Sequence, residues 1–457
     1  MRFLTAIALL ALAPSLFADS EVPTAPPAPG EAKPLDKDSK KNLIALIQKL
    51  YAKDGDQPGQ DAVLEELARH HALLPKDAQE IAKLCLQLGR ALGPTIPKGN
   101  PFDFKIHTGE VAQEYIGASP SQGKGLWIGL HGGGVGQGSG DEARGAWQTG
   151  LPSLFPSVTP NTGWYQGDGQ LHVMALLLAA IRTYDIDTDR VYLSGHSMGG
   201  FGAWNVCSVH ADRFAGMISG AGGGEGPGAP ANMYNTPVWF YHSTDDPRVQ
   251  QGSAQGIAKE LAWRQKAHPG GYDYVYKQYG DPEDDGDKVF PKAGPGVQHG
   301  FPPDGHSPPI SWILKHPARN PYPTKLVWCG DRHYKFKRQF AWLYSPISWY
   351  YREIVAEWKD KSTLEIVLKS RPQEEGEEPE EYSGGGLTIL LNPKLVDFAK
   401  PLVIRVNGQE VHNAVPTCSA WAIAASIYQR LDAKQFFVGH VTIPGDPPDE
   451  PREQDAD

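Results

Sequence analysis

The sequence predicts an α/β protein with a doubly wound, mostly parallel sheet, preceded by a helical segment and followed by an antiparallel β module. Three observations carry this. Short apolar runs alternate with helical stretches between residues 98 and 321, and β–α alternation produces parallel strands covered by helices on both faces. The runs end in Gly-, His- and Asp-containing loops, which right-handed crossovers collect at one sheet edge. From residue 322 the apolar period shortens to two, as in half-buried antiparallel strands.

Along the 457 residues, the elements follow in order. Residues 1–18 read as a secretory signal. Arg2 precedes the apolar run Phe3 to Ala13, a small-residue exit lies at Ala18, and the run is too short to span a bilayer. Leu16 occupies a position where a small residue is preferred. The mature chain is expected to be soluble and exported, to the periplasm or beyond, with no membrane span. Residues 19–38 are a Pro/Ala-rich linker. Residues 39–97 carry apolar side chains at helical spacing (Leu43, Ile47 and Leu50, then Val63 and Leu67, then Ile81 and Leu88). Breaks at Gly55-Asp56 and Leu74-Pro75 divide them into two or three short helices.

Within 98–321, buried strands are expected at 125–130, 190–194, 213–220, 236–241 and 272–279, and helices at 171–184, 201–210, 251–265 and 308–315. The module spanning 322–444 shows strands at 363–369, 387–391 and 435–443. Its clearest hairpin is 402–411, turned by Asn407-Gly408 with a type I′ signal. A small sandwich is expected. Its start is aromatic-rich, with Trp328, Trp342, Tyr344, Trp349, Tyr350 and Tyr351. These suit either an inter-domain core or a polymer-binding face. Residues 445–457 form an acidic tail.

The formal net charge is −10. Two acidic runs, Glu374 to Glu381 and Asp446 to Asp457, account for it and leave the rest close to neutral. They read as solvated loop and tail. No basic stripe points to nucleic acid. The four cysteines, Cys85, Cys207, Cys329 and Cys418, lack metal-site spacing. Export permits disulfides, and Cys329–Cys418 is the conceivable pair. Cys207 reads as a buried thiol.

The chemistry-bearing motifs lie at the strand ends. Gly195-His196-Ser197-Met198-Gly199 follows the strand at 190–194. A serine on a sharp strand-to-helix turn has a crowded backbone, and glycines two residues before and after relieve it. His131-Gly132-Gly133-Gly134 follows the strand at 125–130, where glycines let backbone N–H groups approach a ligand. His242-Ser243-Thr244-Asp245-Asp246-Pro247-Arg248-Val249 follows the strand at 236–241. Gln298-His299-Gly300-Phe301 follows the last core strand at a distance.

Together these motifs resemble the α/β-hydrolases, in particular secreted bacterial esterases of the polyhydroxybutyrate-depolymerase, feruloyl-esterase and dienelactone-hydrolase-like kind. The resemblance covers about half of the chain. It implies Ser197 as nucleophile, Asp246 as acid and His299 as base, in the family's Ser…Asp…His order. The Met198 N–H and that of Gly133 or Gly134 would form the oxyanion hole. Asp245 is the alternative acid and His306 the rival base. The plain reading of both aspartates is helix capping. Ser243 departs from the glycine usual at its position. The implied activity is hydrolysis of a small or polymeric carboxylic ester through an acyl-enzyme, with no metal or organic cofactor. Two alternatives stand beside it. One is a prolyl-oligopeptidase-like peptidase, although a helical segment precedes the core here where those enzymes carry a propeller. The other is a non-catalytic hydrolase-like binding protein. Trp147, Trp164, Tyr165 and the loop 222–225 are expected near the mouth of the site.

Overall fold

The structure is a computed structural model that describes residues 26–445 apart from 29, 54–56, 97–101, 109–110, 118–124, 134–136, 159–162, 165–166, 225–229, 282–289, 331–336, 346–351 and 371–379. The signal segment, Gly134, Tyr165, Glu225, residues 349–351, most of the first acidic run and the tail from 446 onward lie outside the described residues.

Among the described residues nine strands form the central sheet: β1 Phe102–Thr108, β2 Val111–Gly117, β3 Leu126–Leu130, β4 Ser153–Pro156, β5 Val191–His196, β6 Gly216–Gly220, β7 Val238–Ser243, β8 Tyr274–Tyr279 and β9 Lys292–Gly294. Their spatial order is β9-β8-β7-β6-β5-β3-β4-β2-β1. Pairing is parallel from β9 through to β4, and antiparallel for β4–β2 and β2–β1. Every residue of β3 and of β6 is buried, as helices on both faces require. The hairpin β1–β2 is an element beyond those expected, although Phe102, Phe104 and Ile106 alternate in the sequence.

Register aligns the strand ends. Leu130 pairs with Gly195, His196 with Gly220, Gly220 with Tyr241, and Ser243 with Tyr279. The loops after β3, β5, β7 and β8 therefore leave from one edge. Between β3 and β5 the strand order reverses, and a crevice opens at such a switch point.

The N-terminal segment forms helices α1 (Lys37–Ala52), α2 (Gln57–Ala68) and α3 (Pro75–Ala91). The central sheet is covered by α4 (Gly140–Ala146), α5 (Gly167–Thr183), α6 (Met198–Val209), α7 (Gly252–Ala267) and α8 (Ser307–Lys315). No helix among the described residues is long and apolar enough to cross a membrane.

The C-terminal module holds two sheets. One has the order β10 (Lys325–Cys329), β13 (Arg352–Asp360), β14 (Thr363–Ser370), β16 (Leu402–Val406), β17 (Gln409–Ala414). The other has β11 (Gln339–Phe340), β12 (Leu343–Tyr344), β15 (Thr388–Leu391), β18 (Gly439–Thr442). The module is not wholly antiparallel: β14 and β16 run parallel, because the chain crosses to the other sheet through β15 before returning. The hairpin turns as its sequence indicates, with Asn407 and Gly408 both at positive φ, +47° and +81°.

Helix α9 (Ala420–Tyr428) was not expected. Every one of its residues is buried, and a segment apolar on all sides shows no amphipathic period to read. Helices α1, α2 and α3 pack around α9, and α3 also meets α5, so the N-terminal helices join core and module. Trp328, Trp342 and Tyr344 are buried and form core rather than an exposed binding face. All four cysteines are buried and none is in a disulfide, so the Cys329–Cys418 bridge does not form.

A buried charge network fastens the module to the core built on the central sheet. Arg319 bonds Asp189 at 2.7 Å and Asp432 at 2.6 Å. Asp212 takes Arg430 at 2.7 Å and Lys337 at 3.0 Å. Buried charges of this kind require partners on every side.

Candidate active site

Ser197 sits between β5 and α6 with φ 57° and ψ −124°, a region that L residues avoid. Its N–H donates to Gly220 O at 2.8 Å, which holds the turn against β6. The glycines around it are obligatory by geometry. A Cβ on Gly195 would lie 2.0 Å from Gly199 O, and one on Gly199 would lie 2.3 Å from Leu130 O. Met198 opens α6, so its N–H is among the first-turn donors with no partner inside the helix.

The His131–Gly132–Gly133 loop lies alongside. A Cβ on Gly132 would stand 3.2 Å from Ser197 Cβ and 3.9 Å from Ser197 Oγ, while Gly133 has φ +104°. Val158 N–H donates to His131 Nε2 at 3.1 Å, so Nδ1 carries the proton and donates to Gly132 O at 2.7 Å. Burial depresses the His131 pKa, in keeping with that neutral ring. Trp164 Nε1 donates to His131 O at 2.9 Å. Trp164 is fully buried, so it braces the loop from behind instead of lining the mouth.

Asp246 comes from the loop after β7, and His299 from the segment between β9 and α8. His299 Nδ1 donates to Asp246 Oδ2 at 2.7 Å, and its Nε2 faces Ser197 Oγ at 2.8 Å. Nδ1 carries the proton, so Nε2 presents a lone pair to the serine hydroxyl. The Asp246 side chain is fully buried. Its Oδ1 accepts the N–H groups of Arg248 at 2.8 Å and Val249 at 3.0 Å. Burial alone would raise its pKa. The His299 bond and the two backbone donors outweigh that and hold it below the usual carboxylate range.

The rivals are placed elsewhere. His306 is buried, with Nδ1 on Ala146 O at 3.1 Å and Nε2 on Tyr241 Oη at 3.2 Å, and it stacks on Trp147. Asp245 accepts the Ser243 hydroxyl and the Gln298 N–H. His196 lies beneath His299, with ring centroids 5.3 Å apart. Burial, then the neighbouring His299 and His306, lower its pKa to about 3.

A cleft of about 530 Å³ opens over Ser197. Its walls include Leu130, Ala143, Ala146, Trp147 and Phe301, with Glu142 and Arg248 as charged members. Trp147 is where the sequence suggested, while Gly222 packs against Gly200 rather than in the cleft. Phe301, Glu142, Arg248 and Gly132 were not singled out as lining. Only their adjacency to the motifs signalled them.

A core of seven parallel strands in this order, with a serine elbow after β5 and glycines after β3, decides the architecture. The core has the α/β-hydrolase fold. No protein-family model matches the chain, and no curated protein matches it. Solved structures similar to it include a thermostable esterase, 24% identical with TM-score 0.39, covering 47% of this chain and 62% of that one. The chain thus spans less than two thirds of that esterase's length. A phospholipase/carboxylesterase from Dyadobacter fermentans is 16% identical with TM-score 0.33, covering 48% of this chain and 99% of that one. An acetyl xylan esterase from Aspergillus awamori is 14% identical with TM-score 0.29, covering 36% and 79%.

Proposed function

We propose that this protein is an exported serine hydrolase that cleaves carboxylic esters through an acyl-enzyme. The observation that carries the reading is the continuous relay Asp246 Oδ2, His299 Nδ1, His299 Nε2, Ser197 Oγ, with separations of 2.7 and 2.8 Å.

In this reading Ser197 Oγ attacks the ester carbonyl while His299 Nε2 takes its proton. Asp246 keeps His299 in the productive tautomer and stabilises the imidazolium. The Met198 N–H and a glycine N–H of the 132–134 loop, from Gly133 or Gly134, hold the oxyanion. His299 then protonates the departing alcohol and afterwards activates the water that releases the acid. Losing one oxyanion donor costs about 10²–10³ in rate. The apolar wall of Leu130, Ala143, Ala146 and Phe301 suits an uncharged acyl or alcohol group.

The test is hydrolysis of short- and medium-chain p-nitrophenyl esters, beside prolyl amides, by wild type and Ser197→Ala. Ester activity that disappears in the variant, with fluorophosphonate labelling of the wild type only, supports the reading. A folded wild type that neither turns over esters nor takes the label removes it in favour of a binding protein. Export is tested by N-terminal sequencing of protein recovered outside the cytoplasm, with cleavage after Ala18 expected.

A further inference from the structure

We infer that Ser243 and Asp245 form a clamp that positions the base: the end of β7 holds the backbone of the His299 loop, independently of the bond that Asp246 makes to the His299 ring. The inference rests on His299 acting as the base.

Ser243 is buried, and its hydroxyl is used twice. It accepts the Val297 N–H at 3.0 Å and donates to Asp245 Oδ1. The same Asp245 oxygen accepts the Gln298 N–H at 2.9 Å. Two successive N–H groups, those of the residues immediately before His299, are therefore fixed to one pair of side chains. Gln298 needs that support. Its φ is +53°, a conformation that a residue with a Cβ holds only where its surroundings impose it. The loop closes behind it through Gly300 N–H to Val297 O at 2.9 Å. Gly296 is seated against Asp245, where a Cβ would lie 2.1 Å from Oδ2.

Asp245 and Asp246 then divide the work. Asp246 holds the ring, while Asp245, through Ser243, holds the chain that carries it. The Ser243 hydroxyl and the Gln298 N–H keep the Asp245 carboxyl below its usual range, as an acceptor of both should be. A residue without a side-chain hydroxyl at position 243 could supply neither bond. The serine there is thus a working part of the loop anchor. Both are positioning residues, since neither touches Ser197 nor the His299 ring.

The experiment compares Ser243→Ala, Asp245→Ala and Asp245→Asn with wild type on the p-nitrophenyl ester that wild type hydrolyses best. The amide of Asp245→Asn keeps an acceptor for Gln298 and removes the charge. The expected result is a kcat lowered about tenfold or more in both alanine variants with KM little changed, since small misplacements of reacting groups are costly. Asp245→Asn should recover most of kcat. Fluorophosphonate labelling of Ser197 should slow in the same order. Wild-type kcat and labelling in a folded Asp245→Ala, or equal loss in Asp245→Asn and Asp245→Ala, would overturn the clamp. Asp245 is exposed, so its variants report even if Ser243→Ala fails to fold. Failure of the base reading is distinguishable, because there His299→Ala itself would leave ester turnover intact.

Discussion

Ser197 occupies a backbone conformation that its side chain does not favour, and the neighbouring atoms leave it no other. The turn that presents Oγ to His299 is closed by Gly195 packing onto Gly199 and by the Ser197 N–H on Gly220. Strain of this kind is stored where geometry is needed and is held by surrounding structure. Ser197→Gly should therefore abolish ester turnover yet raise stability by about 1 kcal/mol, seen as a higher denaturant midpoint with an unchanged slope. A lower midpoint would show that the serine is unstrained there. The proposed nucleophile, acid and base were all legible as candidate residues, because each motif combines a strand end with small or charged side chains. Ser243 was legible only as a departure from a pattern. Its purpose needed the Val297 N–H beside it, 54 residues further along the chain.

At the scale of elements, the parallel strands and the helices between them were readable from apolar runs, because burial on both faces leaves little else in such strands. The loop after β3 shows how an element serves the site. His131 ties its own loop through Gly132 O and reaches Val158, and Trp164 bonds its carbonyl. Gly132 lies close against Ser197, where a side chain would be crowded. A Cβ would meet His196 O at 3.1 Å and Ser197 Cβ at 3.2 Å. Gly132→Ala is expected to displace the loop rather than unfold it. Steady-state kinetics should show kcat/KM reduced about tenfold or more, as for a weakened oxyanion donor, with a melting temperature close to that of wild type. Unchanged kcat/KM would mean that this loop does not touch the transition state. Helix α9 and the parallel β14–β16 pair were not legible, the first because uniform apolarity has no period and the second because a crossover between sheets leaves no local mark.

In the whole molecule, core, N-terminal helices and C-terminal module share buried surfaces, and Arg319 binds aspartates on both sides of the main junction. One melting transition is expected near pH 7. Histidines held neutral by burial then shape the acid response, His131, His210 and His242 in the same direction as the four that follow. Burial lowers His172 and His196 to about 3 and His306 and His440 to about 4, with nearby histidines adding to the effect at His172 and His196. The unfolded chain binds protons at these side chains from about pH 6.5 downward, while the folded chain does not until pH 3–4. Stability is thus complete above pH 6.5 and declines as pH falls toward 4, by an amount on the order of several kcal/mol across the four. Calorimetry between pH 7 and 4 should show the melting temperature falling throughout this window. A flat profile would mean that these rings gain protons in the folded state.

The sequence by itself determined the fold class, the strand ends that carry chemistry and the identities of Ser197, Asp246 and His299 as candidates, since these depend on local period and on residue types adjacent in the chain. Tertiary structure alone decided what meets what. It brought three loops, separated by up to 102 residues, within hydrogen-bond distance. It gave His306 to Tyr241 and Ala146, kept Cys329 and Cys418 from forming a disulfide, and joined Ser243 to Val297. Those outcomes depend on strand order and register, which place distant segments side by side and which no neighbouring residue encodes.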